Sequence, residues 1–125
     1  MANYVRLSSA KAFNMNNAYL LRELVATYHK HGWELRSVLL QPATFAEIQS
    51  QEPGLIANLA VKEADFDALW FSRPSHEKRE AWELRLLAQT QYALFEAFEP
   101  DETEEERAEA RREMEARLRD YVRKE

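Results

Sequence analysis

Four side chains in one short stretch have the chemistry to grip a charged molecule. Ser72-Arg73-Pro74-Ser75-His76-Glu77-Lys78-Arg79 sets three cations and a histidine around a turn between two apolar runs. Guanidinium and ammonium groups converging on a loop can hold a carboxylate or a phosphate through charge-assisted hydrogen bonds. Arg73, His76, Lys78 and Arg79 are therefore the candidate ligand- or partner-binding residues. The plainer account is a polar hairpin link, because loops are polar whether or not they bind anything.

Two other clusters fall short of a site. His29-Lys30-His31 looks like a metal pair. Histidines two apart on a helix point to different sides, however, whereas helical zinc ligands sit one turn apart. Cationic side chains closing a helix account for them without a metal. Asp65 and Asp67, with Glu63, would share one face of a strand and present carboxylates to a hard cation. They lack the glycine-bearing loop and further ligands such a site needs. No metal, no cofactor and no catalytic residue is expected. The two glycines, Gly32 and Gly54, stand too far apart for a phosphate-cradling loop. No serine lies in a nucleophile elbow, and the absence of cysteine excludes thiol chemistry and disulfides. Trp33, Trp70 and Trp82 fall at core-like positions, so packing explains them better than a stacking platform does.

The elements that position these residues follow from periodicity. Phe66–Glu99 reads as three consecutive strands: Phe66–Arg73, Arg79–Ala88 and Tyr92–Glu99, joined by short links at 74–78 and 89–91. Short links imply antiparallel neighbours, hence a meander. In the middle strand Trp82, Leu84 and Leu86 share a face, while Glu83 and Arg85 are expected to look outward. The asparagines Asn14, Asn16 and Asn17 precede an apolar-periodic run through Leu20, Leu21, Leu24, Val25 and Tyr28. This predicts a helix over 16–31 that stops at Gly32. Trp33–Leu40 reads as a strand with one end more deeply buried. Thr44-x-x-Glu47 is a capping-box pattern for a short helix near 45–51 that would bury Phe45 and Ile48. Residues 55–65 fit a helix or an edge strand, with a strand near 58–63 favoured by the Lys62-Glu63 guard. Residues 1–14 fit a loose arm or an edge strand. Asp101-x-x-Glu104 opens a final charged helix within 101–125, whose apolar stripe is Met114, Leu118, Tyr121 and Val122.

The expected architecture is a single α+β domain over residues 1–125. An antiparallel meander sheet of four or five strands carries the N-terminal helix and the long C-terminal helix on one face. The strands 66–71 and 92–98 are apolar on both faces, so this arrangement would leave Leu69, Phe71, Tyr92, Leu94 and Phe98, or their opposites, exposed. Such a patch marks a protein interface. A homodimer or another protein partner is expected, in a non-enzymatic interaction or regulatory module. The alternative is a binding protein or an enzyme that takes an anionic small molecule at the 72–79 loop. A net charge of −5 disfavours nucleic acid and anionic membrane surfaces. No run is long and apolar enough to span a bilayer, so a soluble cytoplasmic chain is expected.

Overall fold

A computed structural model describes residues 16–124. The reading of 1–14 as an arm or edge strand lies outside the described residues. Helix α1 spans Asn17–Lys30. Asn16 caps it, its side-chain oxygen accepting from the Tyr19 N–H at 2.8 Å. Its C-terminus closes as a Schellman motif: Gly32 at φ +86 donates to the His29 carbonyl, and Trp33 to that of Tyr28, both at 3.0 Å. Strand β1 (Glu34–Leu40) leads into α2 (Pro42–Gln51), a 3-10 turn at Pro53–Leu55, and β2 (Ala60–Glu63). Strands β3 (Ala68–Pro74), β4 (Glu80–Leu86) and β5 (Ala93–Phe98) form the expected meander, and α3 (Glu104–Lys124) ends the fold.

The sheet order is β2-β1-β3-β4-β5. All neighbours are antiparallel except β1 and β2, which run parallel because α2 provides the crossover between them. The favoured strand near 58–63 is this β2 edge. A β-bulge between Leu35 and Ser37 shifts the side-chain parity of β1. Leu35 before it, and Val38 and Leu40 after it, therefore reach the same core. This is why that stretch alternates at first and then does not.

The α+β class, the mainly antiparallel sheet and the long C-terminal helix match the reading of the sequence. The layering differs. Helix α1 packs with Val38, Leu40, Leu69 and Phe71 on one face of the sheet. Helix α3 packs Met114 and Leu118 against Leu39, Ala68, Trp70, Leu84 and Leu94 on the other. The two helices do not share a face, because β3 is apolar on both sides and each side requires its own cover. Leu69, Phe71, Leu94 and Phe98 are accordingly all buried and Tyr92 is half-buried, so among the described residues these side chains form no exposed patch.

Two helix starts also differ. The second helix begins at Pro42, whose fixed φ suits the first helical position. Its cap comes from a distant residue. The Asp67 carboxylate accepts from the Gln41 N–H at 2.8 Å, the Gln41 side-chain amide at 3.0 Å and the Thr44 hydroxyl at 2.8 Å. Glu47 is drawn away to Asn17 of α1. With the helix starting earlier, Ile48 is buried but Phe45 is exposed. The capping box of α3 is Thr103-x-x-Glu106, two residues after the expected one. The Glu106 N–H donates to the Thr103 hydroxyl at 3.1 Å, and the Thr103 N–H to the Glu106 carboxylate at 2.8 Å.

The docking of α3 sets a stability expectation. Leu118 is fully buried, whereas Arg112 on the same helix is solvent-facing. In chemical denaturation, Leu118→Ala should cost about 2–5 kcal/mol, and Arg112→Ala no more than ~0.5 kcal/mol.

Candidate functional site

Helix α1 covers β1 and β3 and stops short of the sheet's β5 edge. Beyond it, β4 and β5 form a shelf on the same face. Register places Arg85 beside Ala93, Glu83 beside Phe95, and Ala81 beside Ala97. Two hollows open on this shelf, and Phe95 lines the smaller. The larger, about 450 Å³, lies between Thr27 and Tyr28 of α1 and Glu83, Arg85 and Ala93 of the sheet. The smaller, about 320 Å³, is bounded by Trp33, Arg73, His76, Ala81 and Phe95. Trp33 and Phe95 meet edge to face at 6.4 Å.

Glu83 and Arg85 do not look outward into solvent as expected. They face the α1 side, because the other face of β4 is taken by Trp82, Leu84 and Leu86 under α3. Tyr28 stacks on Phe71 at 4.0 Å and donates its hydroxyl hydrogen to Glu83. Burial, and then the hydrogen bond to an anionic acceptor, push the Tyr28 phenol well above its ordinary range. Arg85 is only 7% exposed. One of its nitrogens, Nη1, donates to the carbonyls of Leu86 at 3.2 Å and Thr90 at 3.3 Å, which ties down the β4–β5 link. It enters none of the ion pairs among the described residues.

The four residues singled out from the sequence are only partly brought together. Arg73 and His76 border the smaller hollow. Arg73 has a structural engagement there: Nη1 donates to the His31 carbonyl at 2.6 Å at the end of α1, and the guanidinium lies over the Trp33 ring at 5.6 Å. Arg79 is turned to Glu99 at 2.8 Å and Glu77 at 3.0 Å. Lys78 is exposed. It and Glu77 sit at φ 65 and 56, a region that costs non-glycine residues energy and here makes the tight turn between β3 and β4. The acidic residues separate as well. Asp67 caps α2, and Asp65 accepts from Arg119 at 3.1 Å and Arg123 at 3.0 Å, with the Arg119 hydrogen bond holding its carboxyl below the usual range. Among the described residues no three His, Asp or Glu side chains converge as a metal site requires. Trp70 and Trp82 pack edge to face at 5.8 Å, with their indole N–H groups on Glu115 and Glu80.

Arg85 is the residue that the reading of the sequence missed. Its signal was present. A strand with one polar face, set between two strands apolar on both faces, must carry that polar face inside the domain. No protein-family model matches the chain, and comparison with curated proteins and with solved structures finds no match. Among the described residues no helix is long and apolar enough to cross a membrane.

The Tyr28 phenol supplies a test of this geometry. A tyrosine whose folded-state pKa is raised contributes stability that is complete below the unfolded value, about pH 10, and is lost as pH rises beyond it. Near-ultraviolet titration should show a late phenol ionisation, well above pH 10, that belongs to Tyr28. In Tyr28→Phe that late step should be gone and the alkaline loss of stability smaller.

Proposed function

We propose that the protein is a non-enzymatic interaction module that acts as a homodimer, two copies joining along β5. The observation that carries this reading is Phe95, a large apolar side chain left 59% exposed in the middle of an edge strand. Among the described residues β5 has β4 as its one neighbour. Its six residues contain neither proline nor glycine, and Glu96 is its one charge. The other edge, β2, is four residues long and carries Lys62 and Glu63. A longer edge with unpaired backbone groups and a single charge is a template for another strand. A second copy fits because an antiparallel pair of identical strands about a two-fold axis is self-complementary. It would place each Phe95 beside the joint, with Trp33 behind it. Because both faces of β3 are covered, the joint lies at an edge and not on a sheet face.

A second reading, an anionic small molecule at the 72–79 link, draws support from the hollow that Arg73 and His76 share. It is the weaker of the two, because Arg79 would first have to give up Glu99 and Glu77.

Sedimentation velocity tests the dimer. The wild-type chain should sediment as a dimer at tens of micromolar. Phe95→Ser, which removes the exposed ring without setting a second carboxylate opposite Glu83, should weaken association by roughly 30-fold or more, the scale of losing one aromatic hot spot, with an unchanged circular dichroism spectrum. A wild-type chain that is still monomeric at ~100 μM, far above the Kd of a specific dimer, would remove the proposal.

A further inference from the structure

The larger hollow holds a feature that neither the packing nor the dimer uses. Arg85 is a buried cation without a carboxylate partner among the described residues, and removing a charge from water without pairing it is costly. Nη1 is occupied by two carbonyls. The other guanidinium nitrogens have no hydrogen-bond partner among the described residues. They are also not sealed off, because the fully enclosed, unpartnered side-chain nitrogen found there is Arg107 Nε. The free edge of the Arg85 fork therefore reaches open space, and the space its side chain borders is the 450 Å³ hollow beneath α1. A planar fork with two free N–H directions suits one ligand group above others, a carboxylate held by two parallel hydrogen bonds.

The same hollow carries a fixed negative charge. Glu83 stands two residues before Arg85 on the same face of β4, within reach of the cavity and outside ion-pair distance of Arg85. Its carboxylate is oriented by the Tyr28 hydroxyl, which stacking on Phe71 holds in place. A simple anion on Arg85 would meet repulsion from Glu83, whereas a molecule with a carboxylate at one end and an ammonium beside it would satisfy both. We infer that the hollow between α1 and β4–β5 binds a free α-amino acid, its carboxylate on the Arg85 guanidinium and its ammonium on Glu83. Leu24 and Ala93 also line the hollow, so apolar side chains have an apolar wall to rest on. Arg85 and Glu83 then act as binding residues, and Tyr28 acts as a positioning residue through Glu83. This site is distinct from the 72–79 link and from the outer edge of β5.

Isothermal titration of the full chain with a set of amino acids, each beside its deaminated acid and its decarboxylated amine, tests the inference. At least one amino acid should bind with a Kd on the order of 0.01–1 mM, and its two one-charge analogues at least ~10-fold more weakly, one charge-assisted contact being lost in each. Arg85→Met should abolish binding. Because that change also cuts the tie to the β4–β5 link, two milder variants accompany it. Glu83→Gln should erase the preference for the amino acid over the deaminated acid. Ala93→Trp, on an exposed strand position, should block the hollow and lose binding in a folded protein. The inference is overturned if no amino acid binds at 10 mM, a concentration well beyond that affinity range. It is equally overturned if the deaminated acids bind as well as the amino acids in the wild type, or if binding survives Ala93→Trp.

Discussion

The fold depends on a strand that must be dry on both sides. Ala68, Leu69, Trp70 and Phe71 of β3 run through the middle of the sheet, none more than 4% exposed. Alternate residues of a strand point to opposite faces, so four consecutive buried residues demand two covers. Leu69 and Phe71 require α1, and Ala68 and Trp70 require α3. Trp70 sets a further condition, since its indole N–H needs an acceptor inside the core. Glu115 supplies it at 2.9 Å and so fixes where along the sheet α3 can sit. On the opposite side Phe71 fixes Tyr28, and through it Glu83.

The second cover is an unusual one for so charged a helix. Met114 and Leu118 are its buried residues. Its remaining contacts with the sheet side come largely from arginines. Arg111 lies over Trp82 at 4.6 Å, Arg107 over Phe98 at 5.8 Å, and Arg119 over Phe66 at 5.4 Å. Arginine stems shield aromatic faces while the guanidinium heads bind at the rim, here to Glu80 and the Glu99 carbonyl for Arg107 and to Asp65 for Arg119. At the far end Tyr121 stacks on Tyr92 at 3.6 Å. The whole helix docks, its first half through arginine on aromatic rather than through aliphatic packing.

That docking mode explains where the sequence was legible and where it was not. The strands of the meander, α1 with its glycine stop, and the stripe of Met114 and Leu118 follow from local periodicity and cap chemistry. The two-faced pattern of Phe66–Phe71 was equally visible, and it implied two covers. A search for apolar stripes alone gives too little weight to a helix that covers a sheet with Arg107, Arg111 and Arg119. The start of α2 was misplaced for a related reason, whereas the cap of α3, Thr103-x-x-Glu106, is a local pattern two residues beyond the similar Asp101-x-x-Glu104. Asp67 reaches α2 from 23 residues beyond Thr44, and no local pattern announces a cap of that kind. Arg85 was read as solvent-facing because its strand alternates, although the strands on either side of it, apolar on both faces, turn its polar face toward the domain. The loop 72–79 was legible as a cluster of cations, but the acceptors that engage them, the His31 carbonyl and Glu99, come from elsewhere in the chain.

Two helices on opposite faces leave one shelf uncovered, and both functional readings arise on it: Phe95 at its rim and Arg85 with Glu83 at its floor. Both readings therefore depend on the arrangement of the layers. The chain has no cysteine, so a spin label can be placed on each helix without interference, at Glu23→Cys in α1 and Ala116→Cys in α3, both solvent-exposed. With a sheet between them the helix axes stand about 20 Å apart, and electron–electron distance measurement should place outward-facing labels roughly 30 Å apart or more. Labels within about 20 Å of each other, the separation of two helices side by side on one face, would contradict the account.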